Sequence, residues 1–280
     1  MINVWPTVRA LSRPSGVIGA ITEAGWISAH LLLYPWGARR EAAVRDHLRL
    51  DDVDPITRGR IVGDVTTAGT PVLLVHGLVD NRSVFTVLRR ALRRRGFGAV
   101  ATMNYSIFTQ DVRLAAAELG TAVDRLCDRT GHDRIHVIGH SLGGLIARYY
   151  VQRLGGDARV AHLVTLGTPH GGTAWSRLAP RWLPPAGIVS QLRPDSPVLR
   201  ELEQDAPNCS TTILAVYSDL DQLVVPARAA RCEHPDLHAT NILVRGVGHM
   251  SLPVDPRVAR LVAEHLWDPT DGVSGLTDSA

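Results

Sequence analysis

The pentapeptide at 139–143, which reads G-H-S-L-G, contains the residue of this sequence that is best placed to act as a nucleophile. Three of the residues at 135–138 are β-branched and apolar, which favours a buried strand before it. A helical pattern runs from 142 to 154 after it. A G-x-S-x-G pentapeptide alone also arises by chance, but between a strand and a helix it is typical of a tight turn that exposes the serine hydroxyl. The sequence therefore predicts Ser141 as a catalytic nucleophile.

A serine hydroxyl needs a general base, and a histidine base needs a carboxylate that fixes its tautomer. In sheets built from parallel strands, catalytic groups lie in the loops that follow the carboxyl ends of the strands. Such loops carry Asp219 and Asp221 after one predicted strand and His249 after the last one. This order predicts His249 as the base of Ser141. Asp221 is favoured as its partner, with Asp219 as a turn residue that holds the loop.

Other histidines compete for the role of the base. His76 and His170 also follow predicted strands, but each lies in a glycine-rich loop before the sheet is complete. His140 is fixed beside the nucleophile by the turn and is not expected to face its hydroxyl. The remaining histidines do not follow a strand that comes after the acid, so His249 stays the predicted base.

Two backbone N–H groups are expected to bind the oxyanion that develops during acyl transfer. One belongs to Leu142, which follows the nucleophile directly. The other is expected from Leu78, because it follows the pair His76-Gly77 at the end of the apolar strand 72–75. The His-Gly pair also fits a simple tight turn without a chemical role.

Strand and helix patterns alternate from 72 to 166 and resume after 211. This alternation predicts an α/β fold with a mostly parallel central sheet and helices on both faces. Residues 171–207 interrupt it with tryptophans and prolines, so an inserted cap or lid is expected there. The bulky apolar side chains of this segment are expected to line or cover an acyl pocket. They are Trp175, Leu178, Trp182 and Leu183.

The chain divides into three predicted parts: a helical extension at 1–60, a catalytic domain at 61–268 and a flexible tail at 269–280. Residues 16–36 of the extension are mostly apolar but contain a glutamate and a histidine, which disfavours a spanning helix or a clean secretory signal. An amphipathic helix fits better, either packed on the domain or lying on a membrane surface or at the acyl pocket. A weak signal or anchor is the remaining alternative. Without a clear signal peptide, a cytoplasmic or membrane-associated location is favoured.

The composition excludes several classes of function. All 30 basic residues are arginines, so neither a Walker-type phosphate loop nor a lysine Schiff base can form. The net charge is only +3, and the densest arginine group, at 89–95, fits a solvated helix face, so no nucleic-acid partner is expected. The three cysteines lack the spacing of zinc ligands, and no metal or cofactor is predicted. Cys209 and Cys232 are able to pair if the compartment is oxidising.

Five short stretches form a recognisable set: H-G at 76–77, G-H-S-L-G-G at 139–144, T-P-H-G-G at 168–172, L-R-P-D-S-P-V-L at 192–199 and G-V-G-H at 246–249. Together they resemble motifs of the α/β-hydrolase superfamily and, within it, of the bacterial lipases. The resemblance covers roughly residues 70–266 and implies the α/β-hydrolase fold. The first 60 residues resemble no family.

The resemblance also implies a catalytic triad of Ser141, Asp221 and His249, with the acid at the second aspartate of the 219–221 pair. Esterases, thioesterases and acyltransferases share these motifs, so the substrate is left open. Some related lipases bind calcium near the histidine loop, but no acidic cluster in this sequence requires a calcium ion.

The sequence therefore predicts a serine carboxylester hydrolase, a lipase or an esterase, that forms an acyl-enzyme on Ser141. Its substrate is expected to be a small-molecule or lipid ester, and residues 16–36 are the segment expected to contact a membrane surface. An acyltransferase or thioesterase with the same triad is the main alternative. A catalytically silent binding module of this fold is a further alternative, which the intact set of nucleophile, acid and base disfavours.

Overall fold

The structure is a computed structural model, and it describes residues 69–78, 82–103, 105, 111–177 and 186–266. Within these ranges, no helix combines the length and the apolar character that crossing a membrane requires. Several predictions fall outside the described residues. They concern the extension at 1–60 with its apolar segment 16–36, the tail at 269–280, and the pocket residues Leu178, Trp182 and Leu183.

Six parallel strands form a single sheet in the described part of the chain. The strands are β1 (Val72–Val75), β2 (Val100–Met103), β3 (Ile135–His140), β4 (Val160–Leu166), β5 (Thr212–Ser218) and β6 (His238–Val244). Their order is β2-β1-β3-β4-β5-β6. The chain thus moves outward from β1 to β2 and then to the other side from β3 onward. The reversal opens a crevice at the carboxyl ends of β1 and β3, which is where parallel sheets place their ligand sites.

Helices cover both faces of this sheet. They are α1 (Thr86–Arg94), α2 (Val112–Thr130), α3 (Leu142–Arg153), α4 (Ala186–Gln191), α5 (Pro197–Leu202) and α6 (Pro256–Leu266). One hydrophobic core joins α2 and α3 to one face of the sheet, and a second core joins α1 and α6 to the other. The α/β architecture predicted from the sequence, with a parallel sheet between two helical layers, is confirmed.

The start of β2 differs from the one that the apolar pattern predicts, because a local turn precedes the strand. The apolar run from Phe97 predicts a strand from that residue, but β2 begins at Val100. Gly96 adopts a φ of 99°, and the N–H of Phe97 still donates to the carbonyl oxygen of Leu92 in α1 at 3.2 Å. The chain is therefore still completing the end of the helix where the pattern alone predicts a strand.

The later part of the predicted insertion at 171–207 packs into the domain. Val198, Leu199 and Leu202 of α5 are buried in the same core as α2 and α3. The buried guanidinium of Arg148 on α3 donates to the carbonyl oxygen of Leu202 at 3.0 Å. Helix α5 is thus a part of the helical layer and does not extend over the site as a cap.

All three cysteines are buried and free. Burial raises the pKa of the Cys209 and Cys232 thiols, so both stay in the unreactive thiol form at neutral pH. The disulfide that an oxidising compartment would favour between them is not formed in the structure.

Three histidine rings meet under the amino ends of the central strands. His136 on β3 and His162 on β4 lie 5.0 Å apart between ring centroids, and His162 and His265 on α6 lie 5.1 Å apart. His136 is 4% exposed, and neither of its ring nitrogens has a hydrogen-bond partner among the described residues. Burial first, and then the neighbouring His162 and His265, lower the pKa of His136 from 6.5 to about 3. The folded protein therefore keeps this ring neutral.

We expect acid to destabilise the fold through His136. Because its pKa is about 3 in the folded protein and near 6.5 in the unfolded chain, the unfolded chain binds more protons between these values. The free energy of unfolding should fall as the pH drops through this window, with a contribution approaching about 1.4 kcal/mol per pH unit. Urea titrations at a series of pH values measure this slope.

His136→Leu removes the titrating ring and should flatten the slope by that amount. His238→Leu, which replaces an exposed histidine of β6, is the matched control. Equal slopes for the wild type and the His136→Leu variant would contradict the role of His136.

Candidate active site

Ser141 lies in the turn between β3 and α3 with a φ of 54° and a ψ of −123°. Among the described residues, no other non-glycine residue has a positive φ. Such a conformation costs on the order of 1–3 kcal/mol and persists where the surrounding structure enforces it, typically at functional sites. The tight turn predicted from the pentapeptide therefore places Ser141 at the carboxyl end of a central strand and at the amino end of a helix.

Glycines allow three segments to meet at this turn. A Cβ atom on Gly139 would lie 2.4 Å from the Cα of Gly144, so β3 and α3 are in direct backbone contact. A Cβ atom on Gly143 would lie 2.3 Å from the carbonyl oxygen of Val75 at the end of β1. Side chains at these positions would push the segments apart. Ser141 is thus held against the loop that follows β1.

His249 and Asp221 form a buried, hydrogen-bonded pair. The Nδ1 of His249 lies 2.7 Å from the Oδ2 of Asp221, and the two residues are 2% and 3% exposed. The other carboxylate oxygen accepts the backbone N–H groups of Leu223 and Val224, both at 2.8 Å. These two bonds fix the carboxylate so that Oδ2 faces the imidazole. Gly167 leaves room for this carboxylate, because a Cβ atom on residue 167 would lie 3.0 Å from the Oδ2 of Asp221.

Asp219 has a different set of contacts. Its Oδ1 accepts the backbone N–H of Gly246 at 2.8 Å, and its Oδ2 lies 3.6 Å from the guanidinium of Arg245. Asp219 therefore ties the loop after β5 to the loop that carries His249. Of the two aspartates that the sequence offered as the acid, the structure joins Asp221 to the histidine.

A cavity of about 280 Å³ opens at the carboxyl edge of the sheet, and Ser141 and His249 both line it. Trp175 and Leu223 also line it and are 46% and 52% exposed, so they present apolar surface to solvent beside Ser141. The rest of the wall consists of apolar side chains and two hydroxyls: Leu78, Pro169, Thr173, Ser176, Val189, Leu192, Val224 and Met250.

The competing histidines have contacts of their own. The ring of His76 stacks on Tyr105 at 4.5 Å, and the Nε2 of His170 lies 3.0 Å from the hydroxyl of Thr165. His140 packs on the proposed base, with ring centroids 4.8 Å apart, and its Nε2 donates to the carbonyl oxygen of His249 at 3.1 Å. His140 therefore holds the loop of His249 in place, a role that its position next to Ser141 did not suggest.

Tyr105 and Thr168 lie at the site although no sequence pattern assigned either of them a role. The hydroxyl of Tyr105 donates to the carbonyl oxygens of His76 and Gly77, and that of Thr168 donates to the carbonyl oxygen of Ser141. Each follows the carboxyl end of a strand, so the rule that placed the other site residues would also have found these two.

The described residues contain no group of three or more histidine, cysteine, aspartate or glutamate side chains that could hold a metal ion.

Comparison with known proteins gives the same assignment of the fold. Residues 70–185 match the family model of the alpha/beta hydrolase fold. A lipase of Bacillus licheniformis in its mature form superposes with a TM-score of 0.58 and 18% identity, covering 71% of this chain and 92% of that one. Lipase B of Aspergillus fumigatus superposes with a TM-score of 0.59 and 16% identity, covering 71% and 52%. The chain therefore has the α/β-hydrolase fold.

The relatives found by sequence are named as lipases. Triacylglycerol lipases of Pseudarthrobacter phenanthrenivorans and Burkholderia plantarii are each 32% identical over 114 residues, which is 38% of this chain. The match covers 35% and 31% of their lengths, so the chain spans about a third of these relatives. Within the α/β-hydrolase fold, this protein resembles the bacterial lipases.

Proposed function

We propose that this protein is a serine carboxylester hydrolase of the lipase or esterase type, with Ser141 as the nucleophile. The observation that carries the proposal is the buried pair of His249 and Asp221 at 2.7 Å, set at the cavity that a strained serine also lines. These are the three groups that nucleophilic acyl transfer requires, in the chain order expected for this fold.

In the proposed reaction, the oxygen of Ser141 attacks the acyl carbonyl carbon while His249 accepts the serine proton. The negative charge that develops on the carbonyl oxygen is bound by the N–H groups of Leu78 and Leu142. The intermediate collapses as the alcohol leaves with the proton from His249, which gives the acyl-enzyme. A water molecule then repeats the same steps, releases the acid and restores Ser141. Asp221 orients the imidazole and stabilises its charged form throughout.

The cavity wall indicates the kind of acyl group. Apart from His249, the described residues that line it carry no ionisable side chain. An apolar wall binds an alkyl chain by removing it from water and leaves a charged group without a partner. The proposed substrates are therefore neutral esters with an aliphatic acyl chain, in line with the lipid esters that the names of the relatives indicate. Trp175 is proposed as a wall residue, and Leu178, Trp182 and Leu183 stay predictions.

A panel of p-nitrophenyl esters from acetate to palmitate tests this proposal, together with a fluorophosphonate probe. We expect turnover of uncharged aliphatic esters and a single probe adduct, which peptide mass spectrometry should place on Ser141. Product analysis with an alcohol added to the reaction separates hydrolysis from acyl transfer. A folded protein that neither turns over any ester nor reacts with the probe would overturn the proposal and favour a catalytically silent module.

A further inference from the structure

We propose that Tyr105 and Thr168 are positioning residues that aim the two oxyanion-binding N–H groups by holding the opposite sides of their peptide units. The proposal rests on the proposed function, since it concerns the oxyanion site of that reaction. Neither hydroxyl has to touch the substrate for this effect.

Tyr105 holds the first peptide unit. Its ring is 7% exposed and stacks on His76 with an interplanar angle of 9°. Its hydroxyl donates to the carbonyl oxygens of His76 and Gly77, both at 3.0 Å, so its one proton is shared between two neighbouring acceptors. The Nδ1 of His76 reaches the same Gly77 oxygen at 2.9 Å.

The direction of the Leu78 N–H follows from these bonds. In a trans peptide unit the C=O and the N–H are coplanar and point in opposite directions. The carbonyl of Gly77 and the N–H of Leu78 belong to one such trans unit. The cis bond among the described residues lies elsewhere, at Val225-Pro226. A hydroxyl that fixes the Gly77 oxygen on one side therefore fixes the Leu78 N–H on the other.

Thr168 holds the second peptide unit in the same way. Its hydroxyl is buried and donates to the carbonyl oxygen of Ser141 at 2.9 Å, and the N–H of Gly144 donates to that oxygen at 3.1 Å. The other side of this unit is the N–H of Leu142. The approach is close enough that a Cβ atom on Gly144 would lie 1.9 Å from the threonine oxygen, so a glycine is required there.

The strand order explains how both hydroxyls reach their targets. The four strands at this end of the sheet lie in the order β2-β1-β3-β4. The two inner strands lead to Leu78 and Ser141, while the two outer strands lead to Tyr105 and Thr168. Each outer strand thus supplies a hydroxyl to the loop of the inner strand beside it. Oxyanion binding depends on N–H donors that point at the site before the charge develops. The hydrogen bonds from the two hydroxyls fix that direction.

Tyr105→Phe and Thr168→Val remove the hydroxyls and keep most of the side-chain volume. Removing an oxyanion donor outright costs roughly 10²- to 10³-fold in kcat, so we expect a loosely held donor to cost roughly 10- to 100-fold. KM should change by less than about twofold, because the ester in its ground state makes little use of these donors.

Two matched controls lose the same kind of bond elsewhere. Tyr149→Phe removes a hydroxyl that donates to Glu201 at 2.7 Å, and Thr211→Val removes a buried hydroxyl that donates to the carbonyl oxygen of Val160 at 2.8 Å. Neither residue lines the cavity. These variants should keep kcat within about twofold while losing thermal stability to a similar degree as the test variants.

An alkyl trifluoromethyl ketone gives a readout that a merely structural role would not move. Ser141 adds to its carbonyl carbon, the serine proton passes to His249, and the carbonyl oxygen becomes an anion at the oxyanion site. Its affinity should fall by about the same factor as kcat in the two test variants and stay unchanged in the two controls. Thr168→Ser, which keeps the hydroxyl, should retain both kcat and inhibitor affinity.

The outcomes separate this inference from the proposed function. A wild-type protein without turnover and without probe labelling would overturn both. A wild-type protein that hydrolyses esters, with test variants that match their controls in kcat and inhibitor affinity, would overturn the inference alone. A loss that appears in KM, or that Thr168→Ser shares with Thr168→Val, would also overturn it.

Discussion

Ser141→Ala is expected to lower kcat for ester hydrolysis by roughly 10⁴- to 10⁶-fold, the range seen when a serine nucleophile is removed from a triad. The two other hydroxyls on the cavity wall, those of Thr173 and Ser176, already donate to the carbonyl oxygens of Leu223 and Thr173. Alanine has the same Cβ as serine, so the strained φ of 54° is no harder to adopt and the fold should be retained. Initial rates with the best ester of the panel, at matched protein concentrations, measure the effect.

Ser190→Ala is the matched control for this substitution. Ser190 is exposed on α4, and its hydroxyl donates to the carbonyl oxygen of Gly187 at 2.6 Å. Its variant should retain the wild-type rate. Residual turnover in Ser141→Ala above about one per cent of wild type, in protein free of contaminating esterase, would assign the nucleophile elsewhere.

Asp221→Asn should lower kcat by roughly 10³- to 10⁴-fold, because the asparagine forces the wrong tautomer on the base. The side-chain oxygen of asparagine can still accept the N–H groups of Leu223 and Val224, as Oδ1 does now. Its amide nitrogen then faces the Nδ1 of His249 as a donor. That contact favours the tautomer with its proton on Nε2, which cannot accept the proton of Ser141.

Asp219→Asn is the comparison that separates the two aspartates. An amide oxygen can keep the bond to the N–H of Gly246, so the loop should stay in place and kcat should fall by less than about fivefold. Steady-state kinetics of the two variants side by side give the answer. A larger loss in Asp219→Asn than in Asp221→Asn would reverse the assignment of the acid.

The fold and the three proposed catalytic groups could be predicted, and for the fold, Ser141 and His249 the signals are local. Ser141 is marked by glycines and a following helix, and His249 by its place after the last strand. The sequence favoured Asp221 over Asp219 as the acid, although the two share one loop. The choice depends on which carboxylate receives the N–H groups of the turn at 223–224, and that is a property of the folded loop.

The strand-end rule marks Tyr105 and Thr168 as candidates, but it does not say which peptide units they contact. Tyr105 acts on residues 28 and 29 positions away, and Thr168 acts on a residue 27 positions away. Their effect depends on which strands are neighbours, and the order of strands is not written in any single stretch of the sequence. The same holds for α5, because Leu202 is tied to the core by a buried guanidinium from α3.

The position of His136 separates the stability of the fold in acid from the turnover of substrate. Its ring lies at the amino ends of the strands, whereas the proposed catalytic groups lie beyond their carboxyl ends. Acid would lower the fraction of folded molecules through this ring, because the unfolded chain binds its proton more tightly than the folded protein does. Resistance to acid could thus be improved by repacking one edge of the sheet without altering turnover at the other.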